Sequence, residues 1–391
     1  GERPLRGAPV AVLLAAGQPY ARVFIPEPQR TSIKAGSLAN VRIDGSGRDW
    51  RGELRYGSSE AAFTPYYALN ERDRSRLSFE VLEAALARVL DSPYLDGGFE
   101  LLWHAGEPLM VPIAFYDEAT RRIGRLLAER GLPTTTIVQS LQTNATVIDA
   151  AWCDCFERNR IHVGVSMDGP AFLHDAHRVT RTGLSTHAAV MRGIDWLARR
   201  QIPFQVICVL TADALDHADA MADFFLQHGI TEVGFNMEET EGENAASSLK
   251  APRAEQRYRV FLERFWQRCM EQPGSLRLRE FDGIVSLACS NARMAQTDMN
   301  APFAIVNVDA RGNVSTFDPE LLSVPTAEYG DFAFGHVLHD SLEAIAATDK
   351  LQRVLQEIRS GVERCRQECE YFGLCGGGAG SNKYWEHRSF D

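Results

Sequence analysis

The sequence predicts an α/β fold built on a parallel sheet, and three observations carry that prediction. From Leu77 onward, short apolar strands alternate with stretches of helical period. The strands are rich in Val, Ile, Leu and aromatics, as strands buried on both faces require. Small or polar clusters follow successive strands, where folds of this class place their ligands. Strand–helix alternation of this kind gives either an open doubly wound sheet or a barrel.

In chain order, the first element is a different one. Before Leu77 there is no cysteine and little helical period. Ala21–Ile25, Asn40–Asp44 and Arg51–Tyr56 read as short alternating runs divided by glycine turns, a small antiparallel β unit over residues 1–76. The predicted strands are Phe99–Trp103, Thr135–Leu141, His162–Met167, Phe204–Leu210 and Glu232–Asn236. The predicted helices cover Ser78–Leu90, Pro112–Arg130, Ala145–Asn159, Thr186–Arg200, Asp213–Gly229 and Ala251–Gln272. This alternating region spans residues 77–272, and a cysteine-rich extension occupies 273–391.

Bulk properties narrow the function. A chain of 391 residues holds two or three domains, or one barrel with additions. A formal net charge of -11 argues against nucleic acid as a partner, which requires a basic face. Eight cysteines in a chain of this length do not resemble a secreted disulfide scaffold, so a reducing cytoplasm is expected. The apolar run Val10–Ala16 is too short to span a bilayer, and its flanks lack the shape of an export signal.

Chemistry is expected at the strand ends. His104-Ala-Gly-Glu107-Pro108 follows the first predicted strand, Gln142-Thr143-Asn144 the second, and Ser166-Met-Asp168-Gly-Pro170 overlaps and follows the end of the third. One such cluster would be a turn; three in succession predict a ligand site at one rim of the sheet. Glu107 is suited either to accept from a ligand ammonium or to cap a helical turn begun by Pro108. Asp168 and His174 are candidates for proton handling, with Asp168 alternatively a turn residue bonding its own backbone. Cys365, Cys369 and Cys375 lie within eleven residues of each other, ahead of three glycines. Thiols at that density suit an iron–sulfur cluster or zinc, or remain unliganded. Only His387 follows as a further ligand type, so the set is incomplete.

Together, Leu102-Trp-His-Ala-Gly-Glu-Pro-Leu109, Leu141-Gln-Thr-Asn144, Val165-Ser-Met-Asp-Gly-Pro170, Phe317-Asp-Pro-Glu-Leu-Leu322 and the cysteine tail resemble the radical S-adenosylmethionine enzymes with a SPASM extension. Within them, the nearest resemblance is to maturases that build cyclophane crosslinks in ribosomally made peptides. The resemblance covers about residues 77–391. It implies a partial (β/α)6 barrel with a cysteine-rich C-terminal extension and a precursor peptide as partner. It also implies S-adenosyl-L-methionine held by Ala105, Gly106, Glu107, Pro108, Asn144 and Ser166. Cys365, Cys369 and Cys375 match ligands of an auxiliary [4Fe–4S] cluster. The family's Cys-x3-Cys-x2-Cys loop, which holds the cluster that cleaves the cofactor, has no counterpart: the first cysteine is Cys153. Cys153 and Cys155 lie in a predicted helix at the wrong spacing, and Phe317 stands where a further thiol is expected. The chain is therefore expected to be inactive alone, any crosslinking activity requiring a partner subunit or a differently started reading frame. Residues 7–76, including Ala21–Pro28, Gly36–Asp44, Ala61–Tyr67 and Glu71–Leu77, resemble the β-rich part of HlyD-type membrane-fusion adaptors. Two alternatives remain open at this point, a non-catalytic peptide-binding module and an export adaptor with a fused barrel.

Overall fold

The computed structural model describes residues 76–391 except 181–182, 241–245, 291 and 323, together with the backbone of two strands nearer the start. Those strands, β1 (Leu38–Arg42) and β2 (Asp49–Glu53), pair antiparallel with Leu38 opposite Glu53 and Arg42 opposite Asp49. The run expected at Ala21–Ile25, the apolar run Val10–Ala16 and most of the adaptor-like stretch lie outside the described residues.

Helix α1 (Phe79–Leu90) begins where Ser78 accepts a hydrogen bond from the Val81 amide, with Glu80 in the first turn and Arg88 in the last, as the helix dipole favours. It leads into six parallel strands ordered as in the chain: β3 (Phe99–Trp103), β4 (Ile137–Thr143), β5 (Ile161–Ser166), β6 (Phe204–Leu210), β7 (Glu232–Met237) and β8 (Arg277–Leu278). The parallel sheet expected from the strand–helix alternation is present, with an additional short strand at its far end. Connecting helices are α2 (Ile113–Glu129), α3 (Ala150–Asn159), α4 (Ala171–His177), α5 (His187–Arg199), α6 (Ala218–Gln227) and α7 (Ala254–Glu271). Helix α4 was not expected from sequence, and two others differ from the expectation for local reasons. The stretch expected to be helical from Ala145 becomes helical only at Ala150, because Asp149 takes the cap position and accepts from the Trp152 amide. The stretch expected from Asp213 divides into a 3-10 turn, Ala212–Asp216, and α6, with His217 between them.

Register shows which side chains face the helices. Trp103 pairs with Leu141, Leu141 with Val163, Val165 with Val206 and Cys208 with Phe235. All of these are buried in one core under the helical layer. Alternation then turns Leu102, Ser140, Gln142, Gly164, Ser166, Ile207 and Asn236 to the opposite, inner face.

The C-terminal region continues with α8 (Arg279–Ser290), β9 (Val306–Val308), β10 (Asn313–Thr316) and β11 (Gly335–His336), the last three forming a separate antiparallel sheet. Helices α9 (Leu342–Ala346), α10 (Asp349–Glu368), α11 (Phe372–Cys375) and α12 (Gly380–His387) complete it. A second core gathers here around Phe317, Phe332, Tyr384 and Phe390, and also takes in Val81 of α1. Leu77 packs against both cores. No described helix is long and apolar enough to cross a membrane.

Gly193 of α5 lies against the loop after β4, where a Cβ would come 2.2 Å from the Ala145 carbonyl oxygen. Gly193→Ala should therefore cost about 1–3 kcal/mol through backbone displacement. Urea unfolding followed by circular dichroism checks this, and an unshifted midpoint would contradict the packing of α5 on that loop.

Candidate functional site

The three polar segments come together at one rim, because β3, β4 and β5 are adjacent and parallel and each segment lies at a carboxyl end. Glu107 is the hub. Its Oε1 accepts from the Leu109 amide at 3.0 Å and from Thr143 Oγ1 at 2.6 Å, and its Oε2 accepts from the Asn144 amide at 2.8 Å. The bond to Leu109 is a cap on the 3-10 turn Pro108–Met110, with Pro108 in its first position. Capping and rim-building are thus both done by one carboxylate. Burial pushes the Glu107 carboxyl up, and the bonds from Thr143, Asn144 and Leu109 pull it back. A carboxylate offers about four acceptor sites, and three donors leave room for one more.

Ahead of Glu107, Ala105 and Gly106 are exposed and both left-handed, at φ 75° and 61°. The left-handed region suits glycine, and an alanine there carries strain of about 1–2 kcal/mol. His104 is held neutral, its pKa lowered to about 4 by burial. Across the rim Gln142 Nε2 donates to Ser166 Oγ at 3.0 Å. The Gln142 amide lies over Gly164, where a Cβ would meet its Oε1 at 2.0 Å. The Asn144 side chain turns back on its own loop, accepting from the Thr146 amide at 3.0 Å and from its hydroxyl at 2.7 Å.

Asp168 and His174 are brought together and are heavily engaged. Arg178 donates to Asp168 Oδ2 from Nε at 2.5 Å and to Oδ1 from Nη2 at 3.0 Å, and the Val209 amide donates to Oδ1 at 2.9 Å. His174 is fully buried. Its Nδ1 accepts from the Asp168 amide at 3.3 Å and its Nε2 lies 3.1 Å from Thr186 Oγ1. Burial lowers its pKa to about 4. This geometry ties the turn after β5 to α4 and to the end of β6.

Among the described residues no group of three or more His, Cys, Asp or Glu side chains is arranged to hold a metal ion. Cys365, Cys369 and Cys375 lie on two consecutive helical elements. Cys365 sits in the last turn of α10 and Cys369 caps it. Cys375 ends α11, a separate helical turn. Lys383 Nζ occupies the space beside Cys365, 3.4 Å from its sulfur. The glycines that were expected to wrap a cluster pack elsewhere, Gly376 against Gln296 and Gly377 against Val362. Cys153 and Cys155 are buried in the main core, with their thiols raised by burial.

Two acids that sequence reading did not single out stand beside the rim. Asp318 is buried, accepts from Ser381 Oγ and from the Glu320 amide at 2.9 Å, and is pushed up by burial. Glu239, just after β7, is raised to about 7, first by burial and then by the charge of Asp318. Asp-Pro-Glu after a strand reads locally as a turn, so nothing in the sequence signalled that this turn is buried.

The protein sll1766 of Synechocystis is 49% identical over 318 residues, covering 81% of this chain and 80% of that one. The chain belongs to the family of sll1766. It is also homologous to anaerobic sulfatase-maturating enzymes, such as the cysteine-type enzyme of Clostridium perfringens, 26% identical over 76% of this chain and 78% of that one. No protein-family model matches. Among solved structures, anSMEcpe with bound AdoMet superposes with a TM-score of 0.66 at 24% identity, covering 80% of each chain. Another structure of anSMEcpe holds AdoMet and a Cp18Cys peptide. Streptococcus suis SuiB bound to its precursor peptide SuiA superposes at 0.53 and 14% identity, over 80% of this chain and 67% of that one. The six-strand parallel sheet thus matches the partial barrel of radical S-adenosylmethionine neighbours.

The family implies two groups, and the residues present fit them unequally. An ammonium-bearing cofactor fits the Ala105–Glu107 loop, which offers a carboxylate with spare acceptor capacity beside exposed backbone. For an iron–sulfur cluster the donors at hand are the thiols of Cys365, Cys369 and Cys375, while Phe317 lies in the second core where a further thiol was expected.

Replacing Ala105 with glycine should relieve the left-handed strain and raise stability by about 1 kcal/mol. Thermal melting checks this, and a lowered melting temperature would contradict it. The folded Glu239 pKa of about 7 exceeds the ordinary value of 4.5, so the native state binds the extra proton between those values. Stability is then fully present below pH 4.5 and declines as pH rises through 7. Glu239→Gln should flatten that slope in unfolding measured from pH 4.5 to 8, whereas an identical slope in the variant would rule Glu239 out as its source.

Proposed function

We propose that this chain acts within a radical S-adenosylmethionine peptide maturase, with its sheet rim binding the cofactor and its mouth receiving a ribosomally made peptide. The observation that carries this reading is the Glu107 carboxylate, held by Thr143, Asn144 and Leu109 at the carboxyl ends of β3 and β4. Ala105–Pro108 would hold the methionine ammonium, and Asn144 and Ser166 would line the rest of the pocket. The ammonium of such a cofactor would meet Glu107 in a charge-assisted contact.

When bound, the cofactor supplies a route to carbon-centred radical chemistry. The chain's own contributions are positional. Gln142 orients Ser166, and the Asp168–Arg178 pair fixes the turn beyond β5. Proton handling at Asp168 would require Arg178 to withdraw, with His174 positioning the Asp168 backbone. Glu239, raised to about 7 by burial and then by the charge of Asp318, is better suited to exchange a proton at neutral pH.

The finer reading is crosslinking of a precursor peptide by the cyclophane type of chemistry, in a reducing cytoplasm. A second reading is maturation of a sulfatase peptide, favoured by the breadth of the match to the Clostridium enzyme. In either case no Cys-x3-Cys-x2-Cys run occurs in this sequence. The cluster that cleaves the cofactor would come from a partner subunit or from a differently started reading frame. The C-terminal region would serve as the SPASM-like part, with Cys365, Cys369 and Cys375 as ligands of its auxiliary [4Fe–4S] cluster.

Isothermal calorimetry with S-adenosylmethionine tests the site: Glu107→Ala should weaken binding by about tenfold or more, the cost of a lost charge-assisted bond. Equal affinity in both proteins would remove the assignment. The purified chain, reconstituted anaerobically with iron and sulfide, should release no 5′-deoxyadenosine on reduction. Its detection, abolished by an iron chelator, would overturn the partner requirement.

A further inference from the structure

Asn236 closes β7 at the mouth of the sheet. Its neighbour Phe235 points outward, its ring 5.5 Å from Phe261 and 4.9 Å from Phe265. Alternation turns Gly234 and Asn236 the other way, onto the inner face. Arg279, just after β8, lies over Gly234, where a Cβ would come 2.8 Å from its Cζ. From there Arg279 Nη2 donates to Asn236 Oδ1 at 2.9 Å and to the Phe235 carbonyl at 3.3 Å.

A guanidinium has donors and no acceptor, so this contact fixes which way the amide points. Oδ1 faces the arginine and Nδ2 faces away from it. Asn236 is only 9% exposed, and Nδ2 is buried without a hydrogen-bond partner in the structure. Buried amide donors are rarely left unsatisfied, and this one sits where parallel-sheet folds receive ligands.

The local charges select the acceptor. Glu280 already neutralises Arg279, with its Oε1 2.5 Å from Nη2, and its Oε2 accepts from the Phe235 amide at 3.0 Å. An anionic ligand here would meet the Glu280 carboxylate, with Arg279 already compensated. A neutral amide carbonyl would satisfy Nδ2 without that repulsion. We infer that Asn236 is an amide-recognition subsite, held in orientation by Arg279 and Glu280, that receives one backbone carbonyl of the bound peptide. The inference rests on the peptide-binding reading above. It places the peptide contact at β7, while the cofactor contacts lie at β3 to β5.

The probe is the tightest peptide enriched from a displayed random dodecapeptide library on the wild-type chain, labelled with fluorescein. Fluorescence anisotropy compares wild type with Asn236→Asp, which keeps the shape and removes the donor. Circular dichroism and a thermal melt establish that the variant is folded, and Arg279→Lys provides a second variant that loosens the amide without altering Asn236. The expected result is about tenfold or greater weakening for Asn236→Asp and a smaller loss for Arg279→Lys. An ester scan of the peptide backbone should find one carbonyl whose replacement weakens binding to wild type and not to Asn236→Asp. Equal affinity for wild type and a folded Asn236→Asp would overturn the subsite while leaving the peptide reading intact. Enrichment of no peptide at all would overturn both.

Discussion

The candidate site depends on a carboxylate that is buried before any ligand arrives. Glu107 draws the Leu109 amide, the Thr143 hydroxyl and the Asn144 amide onto one group, tying the loop after β3 to the end of β4. Each of those donors would otherwise need its own partner near the rim. Burial opposes the charge more than the three hydrogen bonds favour it, and a neighbouring cation would favour the charged form. The left-handed Ala105–Gly106 pair makes the sharp approach that delivers Glu107 to this position. Strain in the loop and charge on the acid belong to the same arrangement.

Much of the sheet was legible because parallel strands buried on both faces must be apolar throughout. Phe99–Trp103 and Phe204–Leu210 stand where the sequence pattern puts them. Helix starts were less legible, since Asp149 and His217 act through caps and turns that periodicity does not register. Strand β8 is two residues long and carries no pattern of its own, so Arg279 could not be placed over Gly234 from sequence. The rim was legible as three polar clusters, but its internal bonding was not. Asn144 turns its side chain onto Thr146, and Asp168 is engaged by a distant arginine and the β6 backbone.

Cysteine spacing left the backbone between the thiols open. Continuation of α10 through Glu368 sets Cys365 and Cys369 one helical turn from each other, and α11 carries Cys375 on a separate turn. Lys383 then takes the space beside Cys365. Asp318 shows the converse case, in which an ordinary turn residue becomes buried because Ser381, more than sixty positions later, folds over it.

The second core also joins distant parts of the chain. Phe332, Tyr384 and Phe390 interlock at ring separations of 4.9 to 5.9 Å beside Tyr329. Aromatic packing forms as soon as the chain collapses, drawing only on surface removed from water. Val81 of α1 belongs to the same core, so the C-terminal lobe covers part of the helix that leads into the sheet, and neither side buries that surface alone.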